Sequence, residues 1–141
     1  MIYLDTSVLV ALLVNEPRSD AVVRWYGRST AELVAAVWCV PEFASALGIK
    51  QRTGQLDARQ ATDAWERFGR LVAGDVRLLP VEPAHFHRAA QLAIDAATSL
   101  RAGDALHLAC AEQMGAKSMA TLDDVMGSNA QRMKMKRVLF S

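Results

Sequence analysis

The sequence predicts an α/β fold, a three-layer sandwich with a central, mostly parallel sheet of four or five strands flanked by helices. Short apolar runs alternate with longer segments whose apolar residues recur at helical spacing, which is the pattern of βα units. Because the connections between strands are helical, consecutive strands are expected to run parallel. The 141 residues suit one domain, which we expect to span residues 1–141.

Apolar runs predict the strands of this sheet. Each run is short, as buried strands are, and helical patterns separate one run from the next. Whether the last run pairs with the others decides between four strands and five. The runs cover residues 2–4, 33–37, 76–81, 118–122 and 138–140.

Apolar residues spaced three and four apart predict the helices. Pro41 and Pro83 suit the first helical position, where proline is tolerated, while Asp57 can cap a helix that Gly74 ends. One stripe of that capped helix is predicted to face the core, formed by Ala61, Trp65, Phe68 and Val72. The predicted helices cover residues 7–14, 19–26, 41–54, 58–73, 83–97 and 104–114.

Composition favours a globular protein without targeting signals. A net charge of +1, with 22% charged residues, does not indicate a strongly basic nucleic-acid-binding domain. The apolar run at residues 8–14 is too short to cross a bilayer and lacks the flanks of a signal peptide, so we expect a cytoplasmic protein with no membrane contact. Cys39 and Cys110 show no CxxC spacing and are expected to be buried free thiols.

Acidic residues stand where the predicted strands end and where helices begin. Asp5 follows the first strand and Asp123 follows the fourth, while Glu42 and Asp104 lie in the first turns of helices. Ligands of parallel α/β sheets bind beyond the carboxyl ends of the strands, so all of these side chains are expected at one sheet edge. Taken singly, Asp5 is equally well explained as a turn or cap residue, first-turn acids such as Glu42 and Asp104 are more often structural than catalytic, and Asp123 is compatible with a plain loop position.

Grouping these acids has an electrostatic cost that predicts a metal ion. Two unit charges about 5 Å apart repel by roughly 3 kcal/mol at an effective dielectric near 20. A divalent cation removes this conflict, and an all-oxygen donor set favours Mg²⁺ or Mn²⁺ over zinc. Thr6 and Thr121 lie beside the acids in the sequence and are candidates to orient them through hydrogen bonds, whereas Ser7 is equally explained as a capping residue. Asp124 is the alternative to Asp123.

At these residues the sequence resembles the PIN-domain family, and within it the VapC-type toxins of toxin–antitoxin pairs. The match extends over nearly the whole chain and thins after Asp123. It is carried by IYLDTS at residues 2–7, PEF at 41–43 with Ala46 and Leu47, RAGDALHLA at 101–109, and ATLD at 120–123.

The resemblance implies a function as well as a PIN-like fold. It implies that Asp5, Glu42, Asp104 and Asp123 form the catalytic metal site of an Mg²⁺- or Mn²⁺-dependent endoribonuclease, whose products carry a 5′-phosphate and a 3′-hydroxyl. It also implies a homodimer that a cognate antitoxin protein neutralises.

Basic residues that can offset the acidic pocket are few. Arg18, Arg101 and a basic run at residues 132–137 are candidates for contact with RNA phosphates, and solvated surface charge is the alternative for each. His107 follows Asp104 by one helical turn, although packing is the commoner role for a lone histidine in an apolar helix.

Three other functions remain compatible with the residues. A phosphoryl-accepting signalling domain shares the fold, but it normally has paired acids near the first strand and a late lysine. An interaction module can keep the fold and lack the chemistry. A metal site of this kind also serves phosphatases and flap-type DNA nucleases, because it does not by itself distinguish ribose from deoxyribose.

Overall fold

A five-stranded, wholly parallel sheet forms the centre of the computed structural model, which describes residues 1–141. The spatial order of the strands is β3-β2-β1-β4-β5. The strands are β1 (Ile2–Leu4), β2 (Leu33–Ala36), β3 (Val76–Leu79), β4 (Ser118–Ala120) and β5 (Lys136–Arg137). The strands β2 and β3 lie on one side of β1, whereas β4 and β5 lie on its other side, so the direction of strand addition reverses between β1 and β4. The crevice at the carboxyl ends of β1 and β4 is therefore the expected position for a ligand.

Seven α-helices connect and cover the strands. They are α1 (Thr6–Leu13), α2 (Ser19–Arg28), α3 (Cys39–Arg52), α4 (Ala58–Ala73), α5 (Pro83–Ile94), α6 (Ala102–Gln113) and α7 (Asp124–Arg132), and a short 3₁₀ helix lies at Ala96–Thr98. None of these helices is both long enough and apolar enough to span a bilayer.

The two faces of the sheet carry separate hydrophobic cores, which confirms the three-layer prediction. Leu4 of β1 belongs to the core under α1–α4, whereas the adjacent Tyr3 belongs to the core under α5–α7. The same alternation divides Ala35 from Val34 in β2. This division follows from the period of two in a strand, which sends successive side chains to opposite faces.

The C-terminal end of the chain differs from prediction. The fifth strand is Lys136–Arg137, and the predicted run at residues 138–140 lies beyond it. The last ladder hydrogen bond runs from Val138 N–H to Met119 O, at 2.9 Å. After that bond the chain leaves β4 and packs on α2, where the Phe140 ring meets Trp25 edge-on.

Helix boundaries also shift. α3 begins at Cys39 rather than Pro41, and α6 begins at Ala102 rather than Asp104. α5 ends at Ile94 instead of continuing through residue 97, because the Asp95 side chain accepts from Ala97 N–H and starts the 3₁₀ turn. α7 was not predicted as a bounded helix, since glycine and asparagine inside it are poor helix formers.

One residue of the predicted core stripe lies at the surface. Trp65 of α4 is 41% exposed, although Ala61 and Phe68 of the same stripe are buried. Its ring stacks on Phe68, with centroids 5.4 Å apart, and so covers the edge of the core. The cysteine prediction is confirmed, since Cys39 and Cys110 are buried and unpaired.

Candidate active site

Asp5 lies at the centre of the carboxyl edge of the sheet. Its backbone N–H continues the β1–β4 ladder by donating to Ala120 O at 3.1 Å. The residue is 3% exposed, and its carboxylate accepts hydrogen bonds from the hydroxyls of Ser7, at 2.6 Å, and Thr121, at 2.5 Å. It also accepts from Val8 N–H and thereby caps α1. The predicted capping role and a functional role are therefore compatible at this residue.

Thr121 connects Asp5 to Asp123. Its hydroxyl donates to Asp5 and accepts from Asp123 N–H at 3.0 Å. Asp123 is exposed, and its side chain caps α7 by accepting from Met126 N–H at 2.8 Å. Asp124 instead points outward and pairs with Arg137 at 2.6 Å, which leaves Asp123 as the acid nearer to Asp5.

Glu42 is held on the opposite side of this edge by groups from two other elements. The Glu42 Oε1 atom accepts from the Thr6 hydroxyl at 2.6 Å and lies 2.5 Å from His107 Nε2. The Glu42 side chain is 28% exposed, so the remaining oxygen has access to solvent or a ligand. Thr6 therefore contacts a different acid from Thr121, although the sequence grouped the two threonines together.

His107 and Tyr3 were not predicted as members of the site. Both are buried, and the Tyr3 hydroxyl lies 2.6 Å from His107 Nδ1. Tyr3 has the pattern of an ordinary apolar strand residue, so nothing in the sequence indicates this contact. The spacing of three residues between Asp104 and His107 was the available signal for the histidine. Ser7, for which the sequence leaves both capping and orientation of an acid open, donates to Asp5. The buried Nε1 of Trp38 also lies near Glu42.

Asp104 differs from the other buried acids because no protein group donates to its carboxylate. Burial raises the pKa of Asp104, and the negative charges of Asp123 and Asp5 raise it further. His107 acts in the opposite direction, and Glu42 adds a smaller repulsion. The charges of the other three predicted acids therefore all reach Asp104 at this edge of the sheet.

Asp5 and Glu42 show opposite pKa shifts for identifiable reasons. Burial raises the pKa of Asp5 and outweighs the lowering by His107 and by the donated hydrogen bonds. Burial also acts to raise the pKa of Glu42, but hydrogen bonds from His107 and Thr6 outweigh it, so the net pKa is lowered. Glu42 is thus kept ionised by its partners.

The profile of the PIN domain family matches residues 2–130. The chain belongs to the PIN domain family. A comparison with curated proteins gave no match.

Several solved structures share this fold, and one of them is a toxin. VapC20 of Mycobacterium tuberculosis, a sarcin–ricin loop cleaving toxin, is 17% identical over 92% of this chain and 95% of its own, with a TM-score of 0.74. FitAcB of Neisseria gonorrhoeae is 21% identical over 99% of this chain and 97% of its own, with a TM-score of 0.73. VapBC2 of Rickettsia felis, bound to a promoter DNA fragment, is 11% identical over the whole of both chains, with a TM-score of 0.65. At these identities the likeness is one of fold.

The divalent ion that the PIN resemblance implies fits the chemistry of this edge. The donors are carboxylate oxygens, which Mg²⁺ and Mn²⁺ prefer, and Asp104 is an acid without a protein donor among three like charges. However, no three ligand-type side chains lie close enough together to hold an ion as they stand. The structure thus groups the acids at one edge without forming the direct cluster that the sequence predicted.

Replacing Asp104 with asparagine is expected to stabilise the metal-free protein at neutral pH. Because the pKa of Asp104 is raised in the folded protein, folding favours the protonated carboxyl group over the ionised one. The folded state is therefore relatively more stable at low pH, and this stability is lost as the pH rises through the folded-state pKa. The stability gain of Asp104→Asn should therefore be present at pH 7 and vanish below pH 3.8, the ordinary aspartate value. Thermal melts across pH in the presence of chelator measure this difference. An Asp104→Asn protein less stable than wild type at pH 7 contradicts it.

A groove runs beside the acidic edge, between α1 and α3. It has a volume of about 520 Å³. Its polar lining includes Thr6 and Ser7, which donate to Glu42 and Asp5, together with Arg18 and the ion pair of Lys50 with Glu16. Its apolar lining is formed by Val10, Ala11, Pro17, Ala46, Ile49 and Leu122. A segment bound beside Thr6 and Ser7 would therefore lie next to the acids.

Proposed function

We propose that this PIN domain is a divalent-metal-dependent endoribonuclease and the toxin of a toxin–antitoxin pair. The observation that carries the proposal is Asp104, a half-buried acid that has no protein donor and lies among Asp5, Glu42 and Asp123 at the carboxyl edge of the sheet. A cation is the simplest group that makes this arrangement favourable. Membership in the PIN domain family, together with the fold shared with a sarcin–ricin loop cleaving toxin, supports a ribonuclease over other metal-dependent hydrolases.

The chain's own residues divide the work of such a reaction. Asp5 and Asp104 are our assignment for the direct metal ligands, and Glu42 and Asp123 complete the site directly or through water. A bound Mg²⁺ or Mn²⁺ supplies Lewis-acid stabilisation of phosphate charge and lowers the pKa of water to generate a nucleophile. Thr121 holds the Asp5 carboxylate, and Thr6 holds Glu42, so that neither acid has to be ordered during the reaction.

Positive charge near the rim is available for the RNA backbone. Arg101 is exposed at the N-cap position of α6, three residues before Asp104. Arg18 lies at the end of the groove and donates to Phe140 O at 3.3 Å, which leaves other guanidinium N–H groups for a phosphate. Arg137 is less suitable, because its guanidinium pairs with Asp124.

An RNA-cleavage assay with metal control tests this function. Purified wild type is expected to cut end-labelled total RNA in Mg²⁺ or Mn²⁺, to leave 5′-phosphate and 3′-hydroxyl ends, and to lose activity in excess chelator. DNA of matched sequence serves as the control for sugar specificity. Failure to cut any RNA in either ion, or equal cutting in chelator, would overturn the proposal.

An antitoxin segment is our assignment for the occupant of the groove between α1 and α3. The apolar lining suits peptide side chains, and the position beside Thr6 and Ser7 lets a bound segment block the acids. A small protein encoded beside this chain should therefore form a complex with it and suppress RNA cleavage. Homodimerisation also stays a prediction, for which gel filtration with light scattering is the direct measurement.

A further inference from the structure

We propose that Tyr3 and His107 form a hydrogen-bond chain that fixes the orientation of Glu42, so that one carboxylate oxygen is held by protein and the other faces the first turn of α6. The two residues act as positioning residues and do not themselves touch the reacting atoms. This inference rests on the proposed function, in which Glu42 belongs to the metal site.

The contacts form a continuous chain from the sheet to the acid. The Tyr3 hydroxyl lies 2.6 Å from His107 Nδ1, and His107 Nε2 lies 2.5 Å from Glu42 Oε1. Tyr3 is fully buried and His107 is 1% exposed, so these hydrogen-bonded side chains are shielded from water up to Glu42. The rings of Tyr3 and His107 meet edge-on, with centroids 5.7 Å apart, which limits rotation of the imidazole.

The two hydrogen bonds determine which ring nitrogen of His107 carries a proton. An ionised carboxylate only accepts hydrogen bonds, so Nε2 must carry a proton in order to bond to Glu42. No other acceptor lies within bonding distance of the Tyr3 hydroxyl, so its proton is satisfied only if it donates to an unprotonated Nδ1. A ring with a proton on Nε2 and a lone pair on Nδ1 meets both requirements. Tyr3 is therefore the group that selects this tautomer.

The same contacts determine which oxygen of Glu42 remains free. Oε1 accepts from both Thr6 and His107. Oε2 faces the first turn of α6, since a Cβ placed on Gly103 would lie 3.3 Å from it. The same Cβ would lie 3.6 Å from Trp38 Nε1, so this oxygen lies between the first turn of α6, which carries Asp104, and the Trp38 indole. A larger residue at position 103 would crowd this oxygen.

A packing role alone does not account for these features. A buried histidine needs hydrogen-bond partners in any role, but one partner of His107 is a carboxylate of the proposed metal site, so the ring orients that acid as well as filling space. The spacing from Asp104 to His107 places both side chains on the same face of α6.

Measurements of metal affinity and of the His107 tautomer together test the hydrogen-bond chain from Tyr3 through His107 to Glu42. We expect His107→Leu to weaken Mn²⁺ binding about 10- to 100-fold, the usual effect of removing a group that orients a ligand. His107→Gln, which keeps an N–H donor, should recover part of that loss, and Tyr3→Phe should give an intermediate loss. His85→Leu is the matched control, because His85 is also buried but bonds to the backbone N–H of Glu82 at the start of α5.

A second measurement does not depend on metal or activity. Long-range ¹H–¹⁵N spectra of the metal-free wild type should show His107 protonated at Nε2 alone, and Tyr3→Phe should lose this single tautomer. If His107→Leu does not fold, Tyr3→Phe and His107→Gln still carry both measurements.

The outcomes separate this inference from the nuclease proposal. A proton on Nδ1 of His107, or unchanged Mn²⁺ affinity in folded His107 variants, overturns the positioning role. Mn²⁺ binding without cleavage of any RNA overturns the nuclease alone. Absence of Mn²⁺ binding by the wild type overturns both.

Discussion

Asp104→Asn is expected to reduce RNA cleavage by about 10²–10³-fold, the cost of losing one preorganised charge-stabilising group. No protein group donates a hydrogen bond to Asp104, and three like charges lie nearby, so its negative charge makes no bond that holds the fold together. Its loss should therefore remove function without loosening the fold. Initial rates on a defined RNA at saturating Mg²⁺ measure the effect.

The matched control for this substitution is Asp124→Asn. Asp124 is also an aspartate at a helix start, but its carboxylate points outward to Arg137. We expect this variant to retain wild-type cleavage. If Asp124→Asn lost activity and Asp104→Asn kept it, the acid set proposed here would be wrong.

Thr121→Val is expected to lower both stability and cleavage. It removes the hydroxyl that donates to the buried Asp5 carboxylate at 2.5 Å, with almost no change of shape. Hydrogen bonds to charged groups contribute about 1.5–3 kcal/mol to the free energy of unfolding. For a domain of this size that corresponds to a fall in melting temperature of roughly 3–12 °C. Cleavage should fall about 10- to 100-fold, because Asp5 loses the group that orients it.

Thr98→Val provides the comparison for Thr121→Val. The Thr98 hydroxyl is likewise buried, but its acceptors are the neutral carbonyls of Leu92 and Asp95. Its removal should cost about 1 kcal/mol and leave cleavage unchanged. Equal losses of activity in the two variants would indicate general destabilisation and would argue against a specific role for Thr121.

The architecture was predictable because its signals are local. Strand runs such as residues 2–4 and the helical spacing between them determine the layers, and parallel strands follow from helical connections. The elements that differed depend on tertiary contacts. The chain after Val138 leaves β4 for Trp25 of α2, and Trp65 stacks over Phe68 at the edge of the core. Neither contact leaves a periodic pattern in the sequence.

The acids were predictable for a similar reason, and their partners were not. Asp5 and Asp123 follow strands that end at one edge, so topology alone brings them to the same region. The contact between Tyr3 and His107 joins residues 104 positions apart, and it depends on which face of α6 is turned toward β1. Spacing along one helix does not fix that rotation. Tyr3 also alternates like any core residue, so its hydroxyl carries no local signal.

The central claim is that Asp5, Glu42, Asp104 and Asp123 bind a divalent cation together. A calorimetric titration of metal-free protein with Mn²⁺ tests it most directly, with wild type, Asp5→Asn, Asp104→Asn and Asp124→Asn measured side by side. The account predicts saturable binding to wild type and to Asp124→Asn, and loss of that binding in the other two variants. Equal binding to all four proteins, or no binding to any of them, would contradict it.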